Sequence, residues 1–191
     1  MDFEKKIAHE SALINECVKG NRIAQRMLYD QYVDYLMLIC MRYIPHREEA
    51  REILMDSFVN AFRNIDRFEY RGDGSLKAWL KKITINQCLM YVRKQNFILS
   101  DSVEPAEIVE TGNSIDAISN LNMKELLSMI QGLPDGYRTI FNLYVFEEMK
   151  HREIALLLNI SESTSKSQLH KAKMQLQKKL LQNSKKEEYG T

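Results

Sequence analysis

An all-α fold of two small helical domains joined by a flexible acidic linker is predicted for this chain of 191 residues. Three observations predict it. Only 7 Gly and 3 Pro occur, too few turn formers for a sandwich or barrel of many short strands. Apolar residues recur at spacings of three and four on both sides of a central break. The break, residues 95–121, holds 5 acidic and no basic side chains, whereas residues 1–94 hold 16 basic and 13 acidic and residues 122–191 hold 11 and 8. The expected organisation is a helical module over 1–95, a linker over 96–119, a second helical module over 120–183 and a tail over 184–191.

In the first module, Leu28, Tyr32, Leu36 and Ile39 predict an amphipathic helix that stops at Pro45. Leu54, Phe58, Ala61, Phe62 and Ile65 then share one face of a second helix, and Glu48, Glu52, Met55, Asp56 and Val59 another. The stretch 68–74, Phe-Glu-Tyr-Arg-Gly-Asp-Gly, reads as a loop. Ser75 is expected to cap a third helix that turns Leu76, Leu80, Ile83 and Met90 inward beside Trp79. The same helix leaves Lys77, Lys81, Lys82, Thr84, Arg93 and Lys94 outward.

The second module opens with a helix around Met123–Gln131, breaks at Gly132–Gly136 and resumes through Ile140, Leu143, Tyr144 and Phe146. A short helix over 150–158 and a longer one over 161–180 follow. Asn159 stands at the turn, where a left-handed residue is required, and Ser161 at the next cap. Leu169, Ala172, Leu176 and Leu180 point inward. This is helix-turn-helix spacing.

Composition excludes several classes. With 45% hydrophobic and 28% charged residues the chain has enough apolar side chain for a core. Cys17, Cys40 and Cys88 form no CxxC pair and lie in apolar-periodic stretches, so a disulfide framework or zinc site is not expected and a reducing, cytoplasmic setting is. No apolar run suits membrane insertion, and MDFEKKIAHE is no signal segment. The four histidines are scattered, without HExxH or a paired-carboxylate context, and no GxxxxGKS occurs. The expectation is a protein that is not an enzyme and has no cofactor or metal.

Three surfaces carry candidate chemistry. The helix after the turn offers Ser163, Thr164, Ser165, Lys166 and Gln168 to base edges, with Lys171, Lys173, Lys178 and Lys179 for phosphates; the alternative is a helical hairpin with a solvated lysine face. Phe68 and Tyr70 beside Arg71 suit stacking on unpaired bases, although Phe68 and Trp79 also suit a small core. The face of Glu52, Met55, Asp56 and Val59 suits a partner's helices, or plain solvent.

The order of these elements resembles a sigma factor of the extracytoplasmic-function group, over roughly residues 20–94 and 122–182. EEAREILMDSFVNAFRNIDRF is similar to the family's polymerase-binding helix, YRGDGSLKAWLKKITINQCLMYVRK to its minus-ten reading segment, and LPDGYRTIFNLYVFEEMKHREIALLLNISESTSKSQLHKAKMQL to its fourth domain. The resemblance implies sigma domain two over 1–95 and sigma domain four over 120–183. It implies core RNA polymerase contacts at Glu52, Met55, Asp56 and Val59, on the helix where Phe58 belongs to the core by its spacing, and the family usually has Gln at the place of Met55. Minus-ten DNA falls to Tyr70, Arg71, Gly72, Asp73, Lys77, Lys81 and Asn86. Minus-35 DNA falls to His151, Arg152, Ser163, Thr164, Ser165, Lys166, Gln168, Lys171 and Lys173. Implied partners are core RNA polymerase, promoter DNA and an anti-sigma factor. The competing expectation is a stand-alone dimeric helix-turn-helix regulator with half-sites one DNA turn apart. The net charge of +1 divides into +3, −5 and +3 over the three segments, so near-neutrality does not oppose DNA binding.

Overall fold

A computed structural model of the chain describes residues 2–95 and 123–189. The chain divides into two units, Met1–Tyr91 and Val92–Thr191, and among the described residues every regular element is helical. The linker expected over 96–119 lies outside the described residues.

The first unit contains α1 (Asp2–Val18), α2 (Arg22–Tyr43), α3 (Arg47–Asn64), a 3-10 turn (Ile65–Arg67) and α4 (Ser75–Gln95), whose last turn crosses the division. Asn21 caps α2, its side chain accepting from the N–H groups of Ile23 at 3.0 Å and Ala24 at 3.4 Å. The buried stripe of α2 runs through Leu28, Tyr32, Leu36, Ile39 and Tyr43. Full burial of Leu28 and Leu36 stabilises the unit by about 1.5–3 kcal/mol each. The helix stops because Pro45 forces Ile44 into an extended conformation, φ −122 and ψ 106. Helix α3 buries Ile53, Leu54, Phe58 and Ala61, and Ile65 extends that face into the 3-10 turn. Phe58 meets the Tyr29 ring of α2 with centroids 4.8 Å apart.

Helix α1 has no counterpart in the expectations above. It packs on α2 and on the 3-10 turn through a face that buries Leu13, Ile14 and Cys17. In α4 the inward stripe is Leu76, Leu80, Thr84, Ile85, Cys88 and Leu89, and two expectations are corrected. Met90 is exposed, and Thr84 is fully buried because its hydroxyl donates to the Leu80 carbonyl at 3.0 Å and so needs no water. Ser75 is also not the cap. Ala78 N–H bonds to the Gly74 carbonyl at 2.9 Å, which places Gly74 at the cap and Ser75 in the first turn, its hydroxyl accepting from Arg71 N–H at 3.3 Å.

The second unit comprises α5 (Met123–Gln131), α6 (Asp135–Val145), α7 (His151–Leu158) and α8 (Glu162–Tyr189), with α5, α6 and α7 packed on α8. Met129, Ile130, Leu133, Ile140, Leu143, Ile154, Leu158, Leu169, Ala172 and Leu176 form its core. Tyr144 is exposed. Helix α8 continues to Tyr189, through most of the stretch expected as a tail.

Candidate polymerase and nucleic-acid surfaces

On α3, Glu52, Met55, Asp56 and Val59 all stand exposed, opposite the buried Ile53, Leu54, Ser57 and Phe58. Their spacings of three and four set them in one stripe. Met55 at 46%, between the two carboxylates, and Val59 at 43%, one turn beyond, are large apolar side chains left in water. Such a stripe matches a partner surface that is apolar with cationic edges.

The loop before α4 turns on two glycines with positive φ, Gly72 at 109 and Gly74 at 81, where a side chain would be strained. Phe68 packs its ring against Trp79 of α4, centroids 5.1 Å apart and tilted by 49°. Beside this pair lies a cleft of about 520 Å³ lined by Arg67, Phe68, Glu69, Arg71, Ser75 and Trp79. Arg71 is held at its rim by Glu69 at 2.8 Å, both exposed. Aromatic faces with a guanidinium beside them are the chemistry of a flat base out of its stack. Tyr70 is half-buried, its hydroxyl enclosed, and burial, then the charges of Glu10 and Asp73, push its phenol up.

The predicted cations are placed differently from one another. Lys77 lies over the Tyr35 ring of α2, 4.3 Å from its centroid, and Lys81, one turn on, is half-buried. At 100° per residue, Asn86 falls on another side of α4, in line with Trp79 and the exposed Lys82. Sequence reasoning missed Arg67 and Glu69 as cleft residues and Lys82 as Asn86's neighbour. The Trp79, Lys82, Asn86 spacing of three and four was the available signal for the last.

In the second unit the turn follows its residues. Asn159 adopts φ 56 and ψ 49, the left-handed region, and Ile160 N–H closes on the Ala155 carbonyl at 3.0 Å. Ser161 caps α8, its hydroxyl accepting from Thr164 N–H at 3.0 Å. Lys150 N–H is taken by Glu153 at 2.7 Å at the start of α7. The exposed front of α8 carries Ser163 and Lys166, with Thr164, Lys171 and Lys173 half-exposed and Arg152 exposed on α7. Lys166 is paired with Glu162 at 2.9 Å on the surface.

Two residues expected at base edges are not on that surface. Ser165 is fully buried and Gln168 is 4% exposed, because their positions fall on the stripe that packs inward with Leu169 and Ala172. Ser165 instead meets His151 Nδ1 at 2.9 Å, joining α7 to α8. The His151 ring stacks on Tyr144, centroids 4.7 Å apart and 27° between planes, and Lys173 lies 5.9 Å from the same Tyr144 centroid. His151 is thus a half-buried tie between α6, α7 and α8.

Burial lowers the His151 pKa from 6.5, Lys166 and Lys173 lower it further, and Glu162 opposes them. Unfolded chain therefore takes up a proton below pH 6.5 that the folded unit resists, and stability falls as pH drops through that window. His151→Asn should flatten the loss of urea midpoint between about pH 7.5 and 5.5. An unchanged slope in the variant would show that His151 does not carry it.

Comparison with known proteins adds independent findings. The family model described as Sigma-70 region 2 matches residues 28–98, and that described as Sigma-70, region 4 matches residues 123–176. The ECF RNA polymerase sigma factor SigW of Bacillus subtilis (strain 168) is 29% identical over 178 residues, covering 87% of this chain and 94% of that protein. The ECF RNA polymerase sigma-E factor of Escherichia coli (strain K12) is 26% identical over 183 residues, covering 90% and 94%. A solved structure, CnrH in complex with the cytosolic domain of CnrY, aligns with 88% of this chain and 95% of that one at 20% identity and a TM-score of 0.44.

Proposed function

The chain belongs to the sigma-70 family, in its extracytoplasmic-function group of RNA polymerase sigma factors, and from that premise we propose how its surfaces share the work of starting transcription. Helix α3 docks on core polymerase through Glu52, Met55, Asp56 and Val59. The cleft at Phe68, Arg71 and Trp79 receives an unpaired minus-ten base, with Tyr70, Gly72 and Asp73 forming the loop that holds it. Asn86 and Lys82 continue that track along α4, while Lys77 and Lys81 attract phosphates from the neighbouring face.

In the second unit, Ser163, Thr164 and Lys166 reach base edges of the minus-35 duplex, and Arg152, Lys171 and Lys173 bind its phosphates. His151, Ser165 and Gln168 act from within, holding the recognition helix against the turn. The working division is residues 1–95, the linker 96–119 and residues 120–183, in a cytoplasmic protein that leaves bond-making to the polymerase. Among the described residues no helix is long and apolar enough to cross a membrane. Family membership also makes an anti-sigma factor a partner to test for.

The observation that carries this reading is the pairing, on one chain, of an aromatic and arginine cleft with a helix-turn-helix that exposes Lys166 and half-exposes Lys171 and Lys173. A stand-alone duplex regulator has no use for the cleft. With a net charge of only +1, the free protein has little field to find DNA by itself.

Transcription from a random promoter library should appear only when the protein and core polymerase are combined. On a selected promoter, Lys173→Ala should weaken binding and lower the magnitude of the log–log salt slope by about 0.9, one phosphate contact's share. Specific, dimeric binding by the free protein, with no response to core enzyme, would reverse the conclusion.

A further inference from the structure

The loop that carries Tyr70 to Asp73 does not rest on α4 alone. Helix α1 packs against the 3-10 turn Ile65–Arg67, which leads directly into the loop, and against α2. Where α1 and α2 meet, the Tyr32 hydroxyl donates to Glu10 Oε1 at 3.1 Å. Tyr32 is buried, and the Tyr70 hydroxyl is enclosed without a hydrogen bond of its own.

We propose that Glu10 of α1 is a positioning residue for the base-reading loop, acting through its hydrogen bond to Tyr32 and the packing of α1 on the 3-10 turn that leads into the loop. Residue 10 precedes the stretch matched by Sigma-70 region 2, which begins at residue 28. The electrostatics agree with the geometry. Glu10 and Asp73 both push up the Tyr70 phenol, and both add to the effect of burial on Tyr32, whose phenol is held well above its ordinary range. Two carboxylates and two phenols from α1, α2 and the loop therefore share one neighbourhood.

The physical role follows from what each group tolerates. A part-buried phenol needs an acceptor, and without Glu10 the Tyr32 hydroxyl loses the one it has. Its release loosens the α1 and α2 junction against which the 3-10 turn is set. The loop's aromatic and cationic side chains then sample more positions, and less of the protein is ready to receive a base.

The inference rests on the base-reading role proposed for the loop, so the experiment separates the two. Holoenzymes are assembled from core polymerase and full-length wild type, Glu10→Ala, Glu10→Gln, Tyr32→Phe or Tyr70→Ala. Promoter melting is followed with 2-aminopurine in the minus-ten region, and core affinity is measured in parallel. Glu10→Ala and Tyr32→Phe should each slow melting by about fivefold, the scale of one part-buried hydrogen bond, with core affinity within about twofold of wild type. Combining them should add little.

Glu10→Gln, whose amide oxygen still accepts from Tyr32, should restore most of the rate, which a role for the carboxylate's charge would not allow, while Tyr32→Phe keeps the ring and its packing and removes only the hydrogen bond. The inference fails if Glu10→Ala melts DNA like wild type while Tyr70→Ala is slow. It also fails if Glu10→Gln is as impaired as Glu10→Ala, or if core affinity falls in step with melting. A Tyr70→Ala holoenzyme that melts DNA normally would overturn the loop's base-reading role, and the inference with it.

Discussion

Glu52→Lys combined with Asp56→Lys should weaken binding to core RNA polymerase by about a hundredfold or more, since like charges set against each other across an interface cost several kcal/mol. Both carboxylates are exposed on the stripe of α3 that also exposes Met55 and Val59. Reversal turns two attractive contacts into two repulsive ones at the centre of the proposed docking surface. The fold should be indifferent, because the side of α3 that packs inward is Ile53, Leu54, Phe58 and Ala61. Equilibrium binding of labelled protein to core enzyme measures the effect, and far-ultraviolet circular dichroism checks the helices. Affinity within threefold of wild type, with the helices intact, would remove α3 from the interface.

Arg138→Met should destabilise the second unit by about 2–4 kcal/mol, because it strips the donor from the Leu133 and Gln131 carbonyls, at about 1–3 kcal/mol for a buried acceptor left unsatisfied. Arg138 is 4% exposed. Its Nη1 donates to the carbonyls of Gln131 at 3.1 Å and Leu133 at 2.6 Å, and its Nη2 to the Asp135 carboxylate. It thereby binds the end of α5 and the following turn to the first turn of α6. Burial lowers its pKa while Asp135 opposes the loss of charge.

Methionine fills a similar volume and satisfies none of those acceptors. A domain of this size has about 5 kcal/mol of stability in total, so much of it goes. Arg138→Lys should recover only part, since an ammonium cannot fork to separate carbonyls. Amide hydrogen exchange on the full chain reads the outcome: protection should collapse in α5 to α8 and persist in α2 and α3. Unchanged protection in α6 would contradict the role.

Much of the architecture was legible in the residues. The Leu28, Tyr32, Leu36, Ile39 spacing names the buried side of α2, and Asn159 and Ser161 mark the turn and the cap. These are local rules, in which period, left-handed tolerance and capping oxygen act within a few residues. The exposed stripe of α3 follows from the same period. Helix α1 was missed although Leu13, Ile14 and Cys17 carry a short apolar period, because so short a stripe has no evident partner until α2 and the 3-10 turn are in place.

In the candidate sites the division is sharper. The chain alone determined that there are helical modules on either side of an acidic stretch, that a helix-turn-helix lies in the second, and that aromatics and cations flank a glycine loop in the first. Tertiary packing decided which of those side chains face a partner. Ser165 and Gln168 are as polar as Ser163 and Lys166, yet rotation about α8 turns the former pair inward, where His151 meets the Ser165 hydroxyl. Thr84 and Met90 exchange their expected places on α4 because a hydroxyl bonded to its own helix can be buried and a thioether can be left in water. The cleft beside Phe68 and Trp79 likewise exists only once the loop is folded against α4. Residue type sets what chemistry is on offer, and the helix's rotation against its neighbours sets which of it reaches solvent.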